Sequence, residues 1–387
     1  MTVYFTGASS HTALGDNLEK AVTALGQVPE PGQAVLSYAD QRQSIPYLLL
    51  PDVPLQNIEQ RLYSVLEGVI GEALDKAGLN ADERRNLGLF LGTSSADVSV
   101  SEARFQRELL ENSETATALI GSNSIANLAR WLRRQFDLRG PDYSFNTACT
   151  ASANALMSAT DMIEAGHLEH ALVVSVELFN VVTAAGFYGL GLLSPQIMRP
   201  FDQDRSGLTL GEGCSALVLS TQPRSARDFR LAGGASMCDI HGMSATNPDG
   251  STVEQVINQA LARAGVSAAE ISAIKVHGTA SLHNDEAEVA GMQRVFGEDV
   301  PPSCALKPYI GHTLGACGLN EVLLFCAAAD AGFVPGTPGI ASPARADLGI
   351  ALTQSNQALT PGPLLLNYFG FGGNNTSLVI TGGEGAA

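Results

Sequence analysis

Ser144-Phe145-Asn146-Thr147-Ala148-Cys149-Thr150-Ala151-Ser152-Ala153-Asn154-Ala155-Leu156-Met157 places a cysteine where an extended apolar run gives way to a helix. After Pro141-Asp142, the Tyr-Ser-Phe run predicts a short strand. The Ala-, Leu- and Met-rich segment that follows, to Ala165-Gly166, predicts a buried helix. Cys149 then falls at or near the helix N-terminus, where unpaired N–H groups and the positive end of the dipole favour thiolate over thiol. The competing reading is a small apolar core residue, the usual place of a free cysteine. The rest of the chain decides between the two.

With 387 residues, 45% hydrophobic and only 16% charged, the chain can build two core-forming units or one large domain of two similar halves. No apolar run is long enough to span a bilayer, and Met1-Thr2-Val3-Tyr4-Phe5 lacks a basic leader, so a soluble cytoplasmic protein is expected. The six cysteines (Cys149, Cys214, Cys238, Cys304, Cys317, Cys326) show no Cys-x-x-Cys spacing, which argues against a disulfide framework and a metal site. A net charge of −17 argues against nucleic acid or an anionic membrane as main partner. Locally, Arg130, Arg133, Arg134 and Arg139 cluster before the Cys149 segment, with Arg84-Arg85 elsewhere; a solvated face is the default and a binding patch the alternative.

Taken in order, Val3 to Ser9 predicts a strand entering a glycine turn, and Asn17 to Leu25 a helix. Residues 27–57, with several prolines and little periodicity, are expected to be irregular. Ile58 to Ala77 is helical in pattern and closes on Gly78 as a C-cap, and Leu87 to Gly92 predicts a strand opening into Thr93-Ser94-Ser95. Alternating strand and helix signals predict an α/β fold.

The chain also echoes itself. Ala73 to Ala81 recurs in Ala260 to Ala268, and Leu91-Gly92-Thr93 in His277-Gly278-Thr279. Thr147 to Gly166 aligns without gaps on Thr313 to Gly332, Gly207 to Leu219 follows Tyr368 to Ile380, and the opening strand returns in Arg230 to Ser236. Five echoes in one order predict two homologous halves, 1–225 and 226–387. Pseudo-twofold packing would bring the helix that Cys149 begins towards the one preceded by His312.

His11, His167, His170, His241 and His283 keep the default of structural or solvated residues. His277, in Val276-His277-Gly278-Thr279, and His312, in Gly311-His312-Thr313-Leu314-Gly315, stand in glycine-bearing turns. Two imidazoles beside a cysteine can supply proton transfer and hydrogen bonds to a thioester carbonyl. Phe369-Gly370-Phe371-Gly372-Gly373 adds a loop whose N–H groups are candidates for an oxyanion hole.

Thr147-Ala148-Cys149, Arg199-Pro200-Phe201-Asp202 with Gly211-Glu212-Gly213, His277-Gly278-Thr279, Lys307 with Gly311-His312-Thr313, and Phe369 to Gly373 together resemble the β-ketoacyl-acyl carrier protein synthases of types I and II and the ketosynthases of type II polyketide pathways. The resemblance spans essentially the whole chain. It implies the thiolase-like α/β fold, two similar halves in an α-β-α-β-α layering, and a dimer. It also implies that Cys149 holds the acyl chain, that His277 and His312 assist decarboxylation of the malonyl unit, and that Lys307 and Glu321 set the charge. Phe371 matches a gate and, with the Cys149 N–H, the oxyanion hole. Thr279, Ser281, Phe369 and Gly372 match substrate- or pantetheine-contacting positions. No cofactor of its own is implied, only the phosphopantetheine of acyl carrier protein.

The departures are Ala280-Ser281 for Gly-Thr, Lys275 where an acid often stands two positions before His277, Asn146 for Asp, Asn374-Asn375 for Thr-Asn, and Gly191 near a usual docking arginine. They point to a specialised polyketide or aryl-polyene pathway as readily as to primary fatty-acid synthesis. For Phe187 and Tyr188 ordinary core packing is the default, and a place bordering the acyl pocket or the dimer interface the alternative. Two further readings stay open: a subunit of a ketosynthase/chain-length-factor heterodimer that binds or shapes a pocket, and an acyltransferase or thioesterase using the same cysteine.

Overall fold

The computed structural model describes residues 1–38, 41–51, 53, 57–111, 125–340, 350 and 352–382. Strands β1 (Tyr4–Thr12), β2 (Gly88–Gly92), β3 (Asp142–Phe145), β4 (His170–Glu177) and β5 (Gly213–Ser220) form one sheet in the order β1-β5-β4-β2-β3. Strands β6 (Arg230–Cys238), β7 (Ala273–Lys275), β8 (Ser303–Cys304), β9 (Leu364–Gly370) and β10 (Asn374–Thr381) form another in the order β6-β10-β9-β7-β8. Each sheet pairs its first three strands antiparallel and its last three parallel. The two sheets therefore repeat one topology.

The helices that position the site are α1 (Ile58–Ala77), α2 (Ala151–Glu164), α3 (Val181–Gly189), α4 (Ser251–Ala264), α5 (Leu282–Phe296) and α6 (Cys317–Asp330). Helix α2 packs on α6 between the sheets: Leu156 and Ile163 of one share a core with Leu319, Val322 and Phe325 of the other. Sheet residues alternate between layers, as the two-residue period demands. Val173, Leu217, Leu364 and Leu366 join this central core, whereas Leu172, Val174 and Val218 pack with α1 and Leu365 and Val379 with α4. Five layers result, and both faces of each sheet are covered. That is why the strands read as continuous apolar runs instead of alternating ones.

Helix α1 ends where expected, on Gly78 at φ 61°, a left-handed cap that glycine adopts without Cβ strain. The segment 27–57 departs from expectation. Its described residues include a hairpin of Gly32–Tyr38 against Gln41–Leu48, whose second strand continues parallel to Leu210-Gly211. Ala34, Leu36, Ile45 and Tyr47 are buried while Val35 is half exposed, so the alternation exists but is short and interrupted by Pro46. The arginine cluster is a face of paired surface charges: Arg133 to Asp142 at 2.8 Å, Arg85 to Asp137 at 2.9 Å and Arg84 to Asp75 at 3.1 Å. Among the described residues no helix is long and apolar enough to cross a membrane.

Candidate active site

Cys149 sits in a single 3₁₀ turn, Ala148–Thr150, between β3 and α2. The second half repeats the turn at Leu314–Ala316, directly before α6. Ala148 (φ 51°) and Leu314 (φ 45°), equivalent in the gapless alignment, both adopt the left-handed region that side chains disfavour. Local strain is thus part of the duplicated design. The turns meet: the Cys317 thiol donates to the Cys149 carbonyl at 2.9 Å. Opposite Cys149 in the alignment stands Gly315, where a Cβ would lie 2.4 Å from the Ser94 backbone nitrogen. One turn keeps a side chain and the other has no room for one.

Burial pushes the Cys149 thiol up to about 11, although the Lys307 charge and the Phe371 N–H act in the opposite sense. Burial therefore acts against the thiolate that the helix terminus favours.

A cleft of about 210 Å³ is lined by Cys149, His277, His312, Phe369 and Phe371, together with Thr279 and Ser281. The two imidazoles face one another edge to face, centroids 5.7 Å apart. Burial, then the Lys307 charge, holds each well below the usual histidine range, so both are neutral. His312 Nδ1 accepts from the Leu314 N–H at 3.1 Å, which places its proton on Nε2. The Lys307 ammonium lies 3.3 Å from His277 Nδ1 and donates to the His277 carbonyl at 2.7 Å.

The turn carrying His277 is tied down from α5. Glu288 accepts from the N–H groups of His277 (2.7 Å) and Gly278 (3.0 Å), and Asp285 from those of Thr279 (3.1 Å) and Phe201 (2.9 Å). The Gly211-Glu212-Gly213 motif seats His312. Its N–H donates to Thr209 O at 2.7 Å, its carbonyl accepts from the Gly211 N–H at 3.2 Å, and a Cβ on Gly211 would lie 2.0 Å from Ile310 O. Glu212 is buried on Arg61, with contacts of 2.6 and 2.5 Å.

Lys307 and Glu321 stand behind the cleft, completely buried and ion-paired at 2.8 Å. Gly372 is not among the lining residues; its N–H donates to Met243 O. Phe187 takes the alternative place, lining the cleft and stacking on Phe371 at 5.7 Å with an interplanar angle of 10°, while Tyr188 is exposed. His283, Asn284 and Thr246 also line the cleft. The only signal for the first two was nearness to Ser281. A larger cavity of about 700 Å³, beside His11 and Arg61 on α1, holds none of the cysteine-histidine set.

A cysteine at the meeting point of two helix N-termini in a doubled α/β fold, facing two neutral imidazoles, defines a condensing enzyme of the thiolase-like fold. The chain belongs to the β-ketoacyl synthase family: the β-ketoacyl synthase N-terminal domain matches residues 60–224 and the C-terminal domain residues 229–341. It is 30% identical to 3-oxoacyl-[acyl-carrier-protein] synthase 2 of Synechocystis over 78% of this chain and 76% of that one. With the Vibrio cholerae enzyme of the same name it shares 28% over 82% and 81%. Among solved structures, a ketosynthase from Xenorhabdus doucetiae in complex with its chain length factor matches with TM-score 0.84 and 28% identity over 98% of both chains. This chain is thus an acyltransferase of the β-ketoacyl synthase type.

Proposed function

We propose that this chain joins a Cys149-bound acyl group to the malonyl unit of malonyl-acyl carrier protein by decarboxylative Claisen condensation. The observation that carries it is Cys149, His277 and His312 on one cleft with Lys307 buried behind. Cys149 Sγ attacks the acyl thioester, and the phosphopantetheine thiol of the carrier leaves with the proton. Malonyl-carrier protein then enters, its pantetheine arm along Thr279 and Ser281. The Nε2–H of His312, with His277, donates to the malonyl thioester oxygen. Carbon dioxide departs, leaving the electron pair as an enolate. Its carbon attacks the Cys149 thioester, whose oxygen meets the N–H groups of Cys149 and Phe371, and Cys149 thiolate is expelled.

We further propose a division into halves 1–225 and 226–387, supported by the repeated strand order. The second subunit, a copy of this chain or a chain-length-factor relative, would pair along β3. That strand ends its sheet and leaves Asp142, Tyr143 and Ser144 exposed. A specialised polyketide pathway fits the departures around Ser281 and Gly191. A carrier-protein assay followed by mass spectrometry tests the reaction. Wild type should give both Cys149 acylation and ketoacyl product, Cys149→Ala neither, and His312→Ala acylation without product. Acylation of wild type without elongation, with either partner subunit supplied, would refute it.

A further inference from the structure

Lys275, the last residue of β7, takes no part in the reaction just described, yet it lies deep in the site and is completely buried. Its Nζ donates to Glu321 Oε2 and to the Asn367 carbonyl, both at 2.6 Å, and stands 3.5 Å over the Tyr368 ring. That ring is fixed by its hydroxyl, which donates to Gly318 O at 3.0 Å. The other Glu321 oxygen lies 2.8 Å from Lys307, which in turn holds His277. Two buried ammonium groups therefore share a single carboxylate. A carboxylate facing one ammonium cancels it; facing two, it leaves a net positive charge in a poorly screened interior.

We propose that Lys275 is a positioning residue: by taking one oxygen of Glu321 it leaves the Lys307 ammonium incompletely neutralised, so that the Cys149 centre experiences a net positive field. That field favours the Cys149 thiolate and, resting on the condensation reading above, the malonyl carboxylate and the enolate. The titratable groups that interact with Lys275 are Glu321 and Cys317 from α6, Cys304 from β8, Tyr368 from β9, Glu288 of α5, Lys307 and the two imidazoles, His277 and His312. Burial, against the attraction of Glu321, brings Lys275 down to about 8, so the field weakens as pH rises through that value.

The test reads Cys149 chemistry without any substrate, so it stands apart from success or failure of condensation. Iodoacetamide labelling of the Cys149 peptide is followed by mass spectrometry from pH 6 to 10, which separates it from exposed Cys238. Lys275→Met should slow labelling at pH 7 about tenfold, the equivalent of one charge acting on the thiol, and should remove the flattening of the wild-type profile near pH 8. Lys275→Met/Glu321→Gln leaves Lys307 as the one cation and should return labelling to the wild-type rate. Unchanged labelling in Lys275→Met overturns the proposal. So does a double variant as slow as the single one or slower, because a packing role worsens when Glu321 is also lost. If Lys275→Met melts too early to assay, the double variant decides against wild type: labelling at the wild-type rate supports the proposal, and labelling about tenfold slower overturns it.

Discussion

Replacing Glu288 with alanine should detach His277 from the scaffold while leaving Cys149 in place. The carboxylate is buried and accepts two backbone N–H groups, from His277 and Gly278, at 2.7 and 3.0 Å. Each buried N–H stripped of its acceptor costs about 1–3 kcal/mol, so the pair costs about 4 kcal/mol. Part of this is returned, because burial raises the Glu288 carboxyl above the usual range and alanine relieves that desolvation. We therefore expect a net loss of about 3 kcal/mol, a large share of the roughly 5–15 kcal/mol of a native protein. Glu288→Gln, with one carbonyl for two donors, should lose about half as much. Urea unfolding measures the stability, and hydrogen exchange at the His277 and Gly278 amides locates the change. Condensation should fall further than Cys149 acylation, because the anchored turn carries the imidazole and not the thiol. A loss below about 1 kcal/mol with unchanged exchange at both amides would refute the reasoning.

Gly211→Ala should destabilise by about 3 kcal/mol and displace His312, because the added Cβ would meet backbone, Ile310 O at 2.0 Å and Gly311 Cα at 2.9 Å, and backbone cannot yield as a side chain does. An unchanged melting temperature would contradict this. Burial raises Asp285 to about 7 in the folded protein, above its ordinary value of 3.8, so between those values the folded state binds the proton that the unfolded state has released. Its contribution to stability is present below that window and is lost as pH rises to about 7, at up to about 1.4 kcal/mol per pH unit. Asp285→Asn, compared with wild type by urea midpoints from pH 4 to 8, should remove this component; parallel curves would sink it.

Local chemistry was readable wherever the signal lay within a turn or two. Asn17 caps a helix beginning at Leu18, and Gly78 closes another, because caps are set by adjacent residues. The alignment of Thr147 to Gly166 on Thr313 to Gly332 located two turns whose backbone angles match, which no propensity would reveal. The hairpin within 27–57 was missed because its apolar alternation is brief and its partners, Leu208, Leu210 and Leu314, lie far along the chain. In the sequence Lys275 is only a departure from a family pattern, a lysine where an acid often stands. Only the sheet register, which sets Lys275 beside Leu366, showed it buried against Asn367 and Glu321. The burial of Cys149 is hidden for a related reason: a helix N-terminus can be read from the sequence, but the desolvation that opposes its effect on the thiol arises only in the folded chain.

Gly315 closes off a path of descent. If the two halves began as copies, each turn once had equal claim to a nucleophile, and the ancestor could have worked from either side. The surviving glycine lies against the Ser94 backbone, so restoring cysteine there would require the neighbouring half to retreat. Packing at Gly315 thus keeps the nucleophile on the Cys149 turn. A symmetric two-nucleophile descendant could not be reached from this chain by a single substitution.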